Sequence, residues 1–453
     1  MKRASIIAIV PVVVLLAVWT IPGSAAEDTP KGDAAAPAAK DAPPDIPEIN
    51  EAFNMFRERD AEGALKLLKK VCKKHPEISP AHVILARFFA RANGAVGMRN
   101  ALEEGVKELP NDPEAYIFMA DIAMRERRVT EARLLYEKCA SLMPKFDVAK
   151  RKKNLEIQVL AGLATTSEAR EDWVGAQQYI EAWLKLDSKS VDALRELAGC
   201  LLRQKNETGA LEQLVKASKI DPEQHTDLLS PEGTVAQFYW KTGEQDKAKK
   251  WMFTALTAKP RDLKTRLLAA QWAWETGQLT EAEKQASNAL QLDPQSLEGL
   301  ILRGLIARYQ KNYKAAQEYC QKAVLLKPNL FAPTNNLALA LVEQDSEDKK
   351  QRALEYAETN AQKYQKTNQA SEAYSTYGWV LYKLDRLDDA EKALRASISG
   401  GQFSLDTAYY LGRVLAKRGR DKDAIQFLES ALKTPGPFAY REDAKRLLEE
   451  LKK

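Results

Sequence analysis

The residues equipped for chemistry are few in this chain, and their spacing gives them little to do. The three histidines, His75, His82 and His225, form no His-x-x-x-His pair, and Cys72, Cys139, Cys200 and Cys320 form no Cys-x-x-Cys site. Zinc sites in sequence show one of those spacings, because neighbouring ligands must converge on a single ion. No Gly-x-Ser-x-Gly elbow presents a nucleophile, and no Gly-x-x-x-x-Gly-Lys-Ser/Thr loop cradles a phosphate. Carboxylates pair on many stretches, but without a geometry that sets an acid against a base, and they read as surface acids. The expectation is a chain with no catalytic residues, no metal and no cofactor. The sharpest charged motif is Lys150-Arg151-Lys152-Lys153. Such runs are usually solvated helix faces; the alternative is a secondary basic patch for an acidic peptide or glycan. Asn206-Glu207-Thr208 is a glycosylation sequon of a kind that arises easily by chance.

Charge excludes one class of partner. The 453 residues carry 68 Lys and Arg against 63 Asp and Glu, a formal net charge of +5, with 29% of the chain charged. That is a mixed-sign surface with no case for nucleic acid. The N-terminus belongs to a different device. Met1-Lys2-Arg3 is a short basic start, Ile6 to Trp19 a nearly unbroken apolar run, and Gly23-Ser24-Ala25-Ala26 a small-residue site before Glu27. This is the three-part layout of a secretory signal peptide over 1–26. The expectation is cleavage after Ala26 and a periplasmic or secreted protein. The alternative is an uncleaved N-terminal anchor facing outside the cytoplasm, since the apolar run approaches the ~20 residues that cross a bilayer. Residues 27–47 are an Ala/Pro-rich stretch with no aromatic, expected to be a disordered linker.

Beyond it, one alanine keeps returning. Ala64, Ala132, Ala176, Ala210, Ala248, Ala282, Ala316, Ala353, Ala390 and Ala424 share a local frame, with Met98 in the slot between the first two. The commonest step is 34 residues, as from Ala390 to Ala424. About twelve residues earlier stands a tiny side chain, from Ala52 and Ala86 through Gly304 to Gly378 and Gly412; twelve residues later a proline often follows, as at Pro76, Pro110, Pro144, Pro222, Pro260, Pro294 and Pro328. Small residues let two helix axes approach to roughly 8–10 Å. Proline ends a helix because it lacks an N–H and disfavours helix in the residue before it. Apolar stripes at helical spacing surround these points, for example Tyr116, Met119, Ala120 and Ala123 facing Ala132, Tyr136 and Cys139. A repeat of this length marks an array whose units cannot bury their apolar faces alone.

This pattern resembles the tetratricopeptide repeat family, whose unit is a helix–turn–helix of about that length. The best copies run from Leu194-Arg-Glu-Leu197-Ala198 to Ala210, Leu214, Ala217 and Pro222, and from Tyr410-Leu411-Gly412 to Ala424, Leu428 and Ala431. The resemblance implies an all-α, right-handed superhelical solenoid of about eleven repeats over 48–438. A C-terminal capping helix follows over 439–453, with Ala444, Leu447, Leu448 and Leu451 on its apolar side. In that frame the four cysteines fall in the first, third, fifth and eighth repeats, too far apart for the ~7 Å Cα limit of a disulfide, and read as buried thiols. Repeat four carries about ten extra residues, expected to lengthen its first helix, with the basic run at its start. Repeats six and nine carry short insertions, at 225–228 and near 345–350, expected to protrude.

The family resemblance also implies where binding occurs. First helices line a concave groove, and in repeats six to eleven the groove positions are Gln237, Trp240, Gln271, Trp274, Leu305, Tyr309, Asn335, Trp379, Tyr382, Tyr409 and Arg413. Aromatic residues on such a surface anchor partners, while amides and arginine fix a peptide backbone or carboxylate. Each ring has an equal claim to packing between repeats. The family's carboxylate clamp is missing: Asn335 and Asn336 stand in a suitable helix, but Glu372, Ser375 and Thr376 occupy the places where cations would be needed. The expected function is a non-catalytic extracytoplasmic scaffold that holds a protein or peptide partner in its groove. The alternative is a protein of an envelope or polysaccharide-export system that binds an acidic glycan.

Overall fold

The computed structural model describes residues 46–220, 228–401, 403–434 and 436–453. The signal peptide, nearly all of the linker, Pro222 and most of the repeat-six insertion, including His225, lie outside them. The described residues form helices and no strands. They divide into two compact units, meeting in sequence near residue 227.

The first unit holds five helical hairpins. They are α1 (Pro47–Arg57) with α2 (Ala61–Lys74), α3 (Ala81–Arg91) with α4 (Ala95–Glu108), α5 (Pro113–Arg125) with α6 (Val129–Leu142), α7 (Ala149–Glu168) with α8 (Trp173–Leu186), and α9 (Val191–Arg203) with α10 (Glu207–Ser218). The second unit holds six hairpins and a last helix. They are α11 (Pro231–Lys241) with α12 (Gln245–Ala258), α13 (Leu263–Glu275) with α14 (Leu279–Leu292), α15 (Leu297–Tyr309) with α16 (Tyr313–Leu326), α17 (Phe331–Val342) with α18 (Glu347–Lys363), α19 (Ala370–Lys383) with α20 (Leu387–Ile398), and α21 (Leu405–Lys417) with α22 (Asp421–Lys433). The last helix, α23, spans Arg441–Leu451.

Each recurring alanine is fully buried between its two helices. The glycines at the partner position need their missing side chain: a Cβ on Gly304 would lie 2.5 Å from Cys320 Sγ, and one on Gly378 2.6 Å from Leu394 Cγ. Second helices end two residues before proline, as α2 does before Pro76 and α14 before Pro294. Asp60, Asp172, Asn206 and Asn312 cap the helices that follow them by accepting a backbone N–H three residues on.

The turn follows one rule in ten of the eleven hairpins, all but α17–α18, and the alanine frame does not announce it. Five residues before the alanine, or before Met98 in its place, the backbone enters the left-handed region, at Arg59, Asn93, Arg127, Glu171, Lys205, Gly243, Gly277, Lys311, Asp385 and Gly419. The next N–H then donates back across the turn, for example Arg128 N to the Ala123 carbonyl at 2.8 Å, which satisfies the end of the first helix. Most of these residues are not glycine, so a glycine search would have missed them.

The irregular repeats resolve by lengthening helices. Helix α7 runs to 20 residues, as its insertion implies, and α18 to 17. The repeat-nine insertion, expected as a protruding turn, is largely taken up in α18. Helix α23 closes the second unit through fully buried Ala444, with Leu447, Leu448 and Leu451 packed on the same core. All four cysteines are free thiols. Cys139, Cys200 and Cys320 are buried, but Cys72 is half-exposed beside the Ser79 carbonyl, 3.4 Å away.

Candidate functional site

The residues expected to line a groove in repeats six to eleven stand on α11, α13, α15, α17, α19 and α21, the first helices of the second unit. Several are withdrawn into the core. Trp274 and Trp379 are 4% and 2% exposed. Trp274 meets the ring of Tyr309 edge-on, with centroids 5.6 Å apart. Trp379 stacks on Tyr410 at 4.2 Å and on Tyr382 at 5.0 Å, and its indole N–H donates to Glu343 at 2.7 Å. Tyr409 is buried and stacked on Tyr440 at 4.8 Å. Leu305, Gln271 and Asn335 are buried as well. As open anchors, these six are corrected to core residues. Gln237, Trp240, Tyr309, Tyr382 and Arg413 remain half-exposed, with Arg413 donating to the Tyr382 hydroxyl at 3.1 Å.

The reason for the withdrawal is a closure between helices distant in sequence. Arg308 at the end of α15 pairs with Asp406 in the first turn of α21, 3.3 Å apart and 98 residues away. Lys311 reaches Asp443 on α23 at 2.6 Å. Tyr440, just before α23, donates its hydroxyl to Glu343 at 2.9 Å, and Lys383 reaches the other oxygen of that carboxylate at 2.7 Å. These bridges fill the space between α15, α17, α19 and α21 with the unit's own side chains.

Charge is concentrated beside this closure. Arg308 and Asp406 are buried, with the guanidinium 4.6 Å from the centre of the Tyr309 ring. Glu372 on α19 accepts from Asn335 Nδ2 at 3.1 Å. It is solvent-exposed by area, yet protein crowds it closely enough that desolvation raises its pKa, with Asp406 adding to the rise and Arg308 opposing it. Desolvation likewise raises the Asp406 carboxyl, against the lowering effect of Arg308. Four polar atoms here lack a partner among the described residues: Arg308 Nε, Asp406 Oδ1, Asn335 Oδ1 and the Tyr410 hydroxyl oxygen. Sequence reasoning missed Arg308, Asp406 and Glu372. The available signal was an arginine inside the apolar run Leu305-Ile306-Ala307-Arg308-Tyr309.

The basic run of the first unit also needs correction. Arg151 is not part of an open patch: its side chain is 10% exposed, bidentate on Asp112 at 2.9 Å and paired with Glu114 at 2.6 Å. Glu114 also accepts from Arg87 at 2.9 Å, so α3, α5 and α7 are joined by one ion-pair chain. Lys150 and Lys153 are exposed and Lys152 half-exposed. Elsewhere in this unit Glu168 on α7 and Glu196 on α9 face each other, and burial together with Glu168 and Asp192 pushes Glu196 up to about 7. No group of three His, Cys, Asp or Glu among the described residues is placed to hold a metal ion.

The sequence model for the tetratricopeptide repeat matches residues 163–225, 267–330 and 378–440, each stretch beginning in the first helix of a hairpin and reaching into or toward the next. Those three stretches carry tetratricopeptide repeats. Among solved structures, the Cut9–Hcn1 hetero-tetramer of APC/C is 14% identical over 89% of this chain and 90% of its own, with a TM-score of 0.42. Yeast Tom70 is 11% identical over 90% and 95%, with a TM-score of 0.35. A tetratricopeptide repeat protein from Parabacteroides merdae is 13% identical over 66% and 99%, also at 0.35. No curated protein matches the chain in sequence. Tetratricopeptide repeats are scaffolds for protein–protein interaction and are typically non-catalytic. No helix among the described residues is long and apolar enough to cross a membrane.

Proposed function

We propose that the protein is an exported scaffold that holds a peptide segment of a protein partner on the inner face of its second unit, without chemistry of its own. The observation that carries this is the half-exposed set Gln237, Trp240, Tyr309, Tyr382 and Arg413 on the first helices, with the exposed Glu372 among them. Rings with one open face supply contact area, and neighbouring amide and charged groups orient an extended chain. The acidic-glycan reading loses support, since Arg151 is already committed to Asp112 and Glu114. Export rests on the N-terminal sequence, and the mature N-terminus at Glu27 is its test: mass spectrometry finding Met1 instead would restore the anchor.

The groove is tested by capture from envelope extract with the wild type and with Trp240→Ala/Tyr309→Ala. Loss of an anchor typically costs at least ~2 kcal/mol, about thirtyfold in affinity. The expected result is a protease-sensitive partner lost by the double variant while its melting temperature shows that it remains folded. A partner retained by that variant overturns the assignment of the groove, and one that survives protease points to a glycan.

A further inference from the structure

The polar cluster beside Tyr309 has a composition that its own side chains do not balance. Arg308 supplies one positive charge against the two carboxylates Asp406 and Glu372. Two buried acceptors here have no hydrogen-bond partner among the described residues: Asp406 Oδ1, on a residue 9% exposed whose carboxyl also feels the Tyr309 hydroxyl, and Asn335 Oδ1, on a residue with no exposed surface. Because Asn335 Nδ2 is spent on Glu372 Oε1, its Oδ1 lies beside the same carboxylate. Leaving such acceptors unmade is costly inside a protein, since they have given up water without gaining a partner. The neighbouring orphan donor, Arg308 Nε, cannot relieve them, as the guanidinium already reaches Asp406 through Nη1 on its other oxygen. Glu372 is the exposed member and so marks the way in.

We propose that this cluster receives one lysine side chain of the bound peptide, its ammonium taken by Glu372, Asp406 and Asn335 and its methylene stem lying along Tyr309. An ammonium brings three donors and a single charge, which meets three oxygen acceptors and the one uncompensated carboxylate. The half-exposed ring of Tyr309, met edge-on by Trp274 and with the Arg308 guanidinium 4.6 Å from its centre, offers its remaining surface as the apolar wall that a long stem requires. A carboxylate-bearing residue would meet like charge, and an apolar residue would leave the acceptors unpaired. The inference rests on the groove reading above, and it names the chemistry of the residue selected there.

The test uses the full mature chain and three pools of blocked pentapeptides, degenerate except for a central lysine, norleucine or glutamate. Fluorescence anisotropy gives the affinity of each pool, and melting temperature controls for folding. The expected result is a lysine pool bound roughly ten- to a hundredfold tighter than the norleucine pool, from charge-assisted hydrogen bonds. Glu372→Gln, at an exposed position that leaves the fold intact, should erase most of that preference, whereas Lys153→Gln should leave it unchanged. Equal binding of the lysine and norleucine pools overturns the lysine site, as does a lysine preference that survives Glu372→Gln, or no binding by any pool. The groove assignment fails separately, by retention of the natural partner in Trp240→Ala/Tyr309→Ala.

Discussion

The two units are built from the same hairpin, yet their first helices are tied together by different means. In the first unit the ties run between near neighbours: Arg87, Glu114, Asp112 and Arg151 link α3, α5 and α7 across 27 to 39 residues. In the second, Arg308–Asp406, Tyr440–Glu343 and Lys311–Asp443 span 97 to 132 residues and are backed by the aromatic stack around Trp379. The repeat frame specifies only how one hairpin meets the next. Ties that skip hairpins come from side chains outside the frame, and they decide how much inner surface stays open.

The largest effect that can break this comparison is expected at Trp379. Trp379→Ala removes a buried ring and leaves Glu343 short of a donor, so chemical denaturation of the second unit should show a loss of ~3–5 kcal/mol. Wild-type stability in that variant would return the ring to the open groove. Arg151→Ala should cost a similar ~3–5 kcal/mol in the first unit, because it strands the buried charge of Asp112 and leaves Glu114 to Arg87 alone. The contrast with Lys153→Ala, within ±0.5 kcal/mol as ordinary for a surface site, separates an ion-pair tie from a solvated patch. If the two variants melt alike, the first unit is not held as described.

A smaller change tests the frame that both units share. Ala282 is fully buried between α13 and α14, and Ala282→Leu should overpack that contact at ~1–3 kcal/mol in an equilibrium unfolding curve. A silent substitution would mean that the helices meet elsewhere. The smallest effect is a pH dependence confined to the first unit. Glu196 faces Glu168, with Asp192 and Arg195 on its own helix, and its folded-state pKa of about 7 lies above the ordinary 4.5. The folded state therefore holds a proton that the unfolded chain releases at lower pH. Stability from this group is full below about 4.5 and declines as pH rises toward and through 7. Melting curves of Glu196→Gln should show a shallower decline between pH 5 and 8 than the wild type; parallel curves would remove the shared proton.

The sequence by itself determined the hairpin, because the hairpin is a local object. A small residue, an alanine twelve positions on and a following proline each act within a few turns of helix, and the sites so marked are buried as that spacing requires. Most of the ten or so additional residues of repeat four lengthen one helix, α7, which runs to 20 residues where a regular first helix such as α9 has 13. The left-handed turn five residues before the alanine was less legible, since Arg, Lys, Glu, Asn and Asp occupy it more often than glycine does. The inner surface was not legible. Trp240 and Trp274 occupy the same place in the repeat, four residues after Ala236 and Ala270, and that frame does not separate them. Tertiary structure does: Trp274 is buried against the edge of Tyr309, and Trp240 stays half-exposed at the edge of the same cluster. The same holds for Arg151, one of four basic residues in a row, which turned inward because Asp112 and Glu114 sit opposite it on α5 and its cap. Periodicity tells which helix face looks inward, but whether that face meets solvent depends on what the chain brings across it from a hundred residues away.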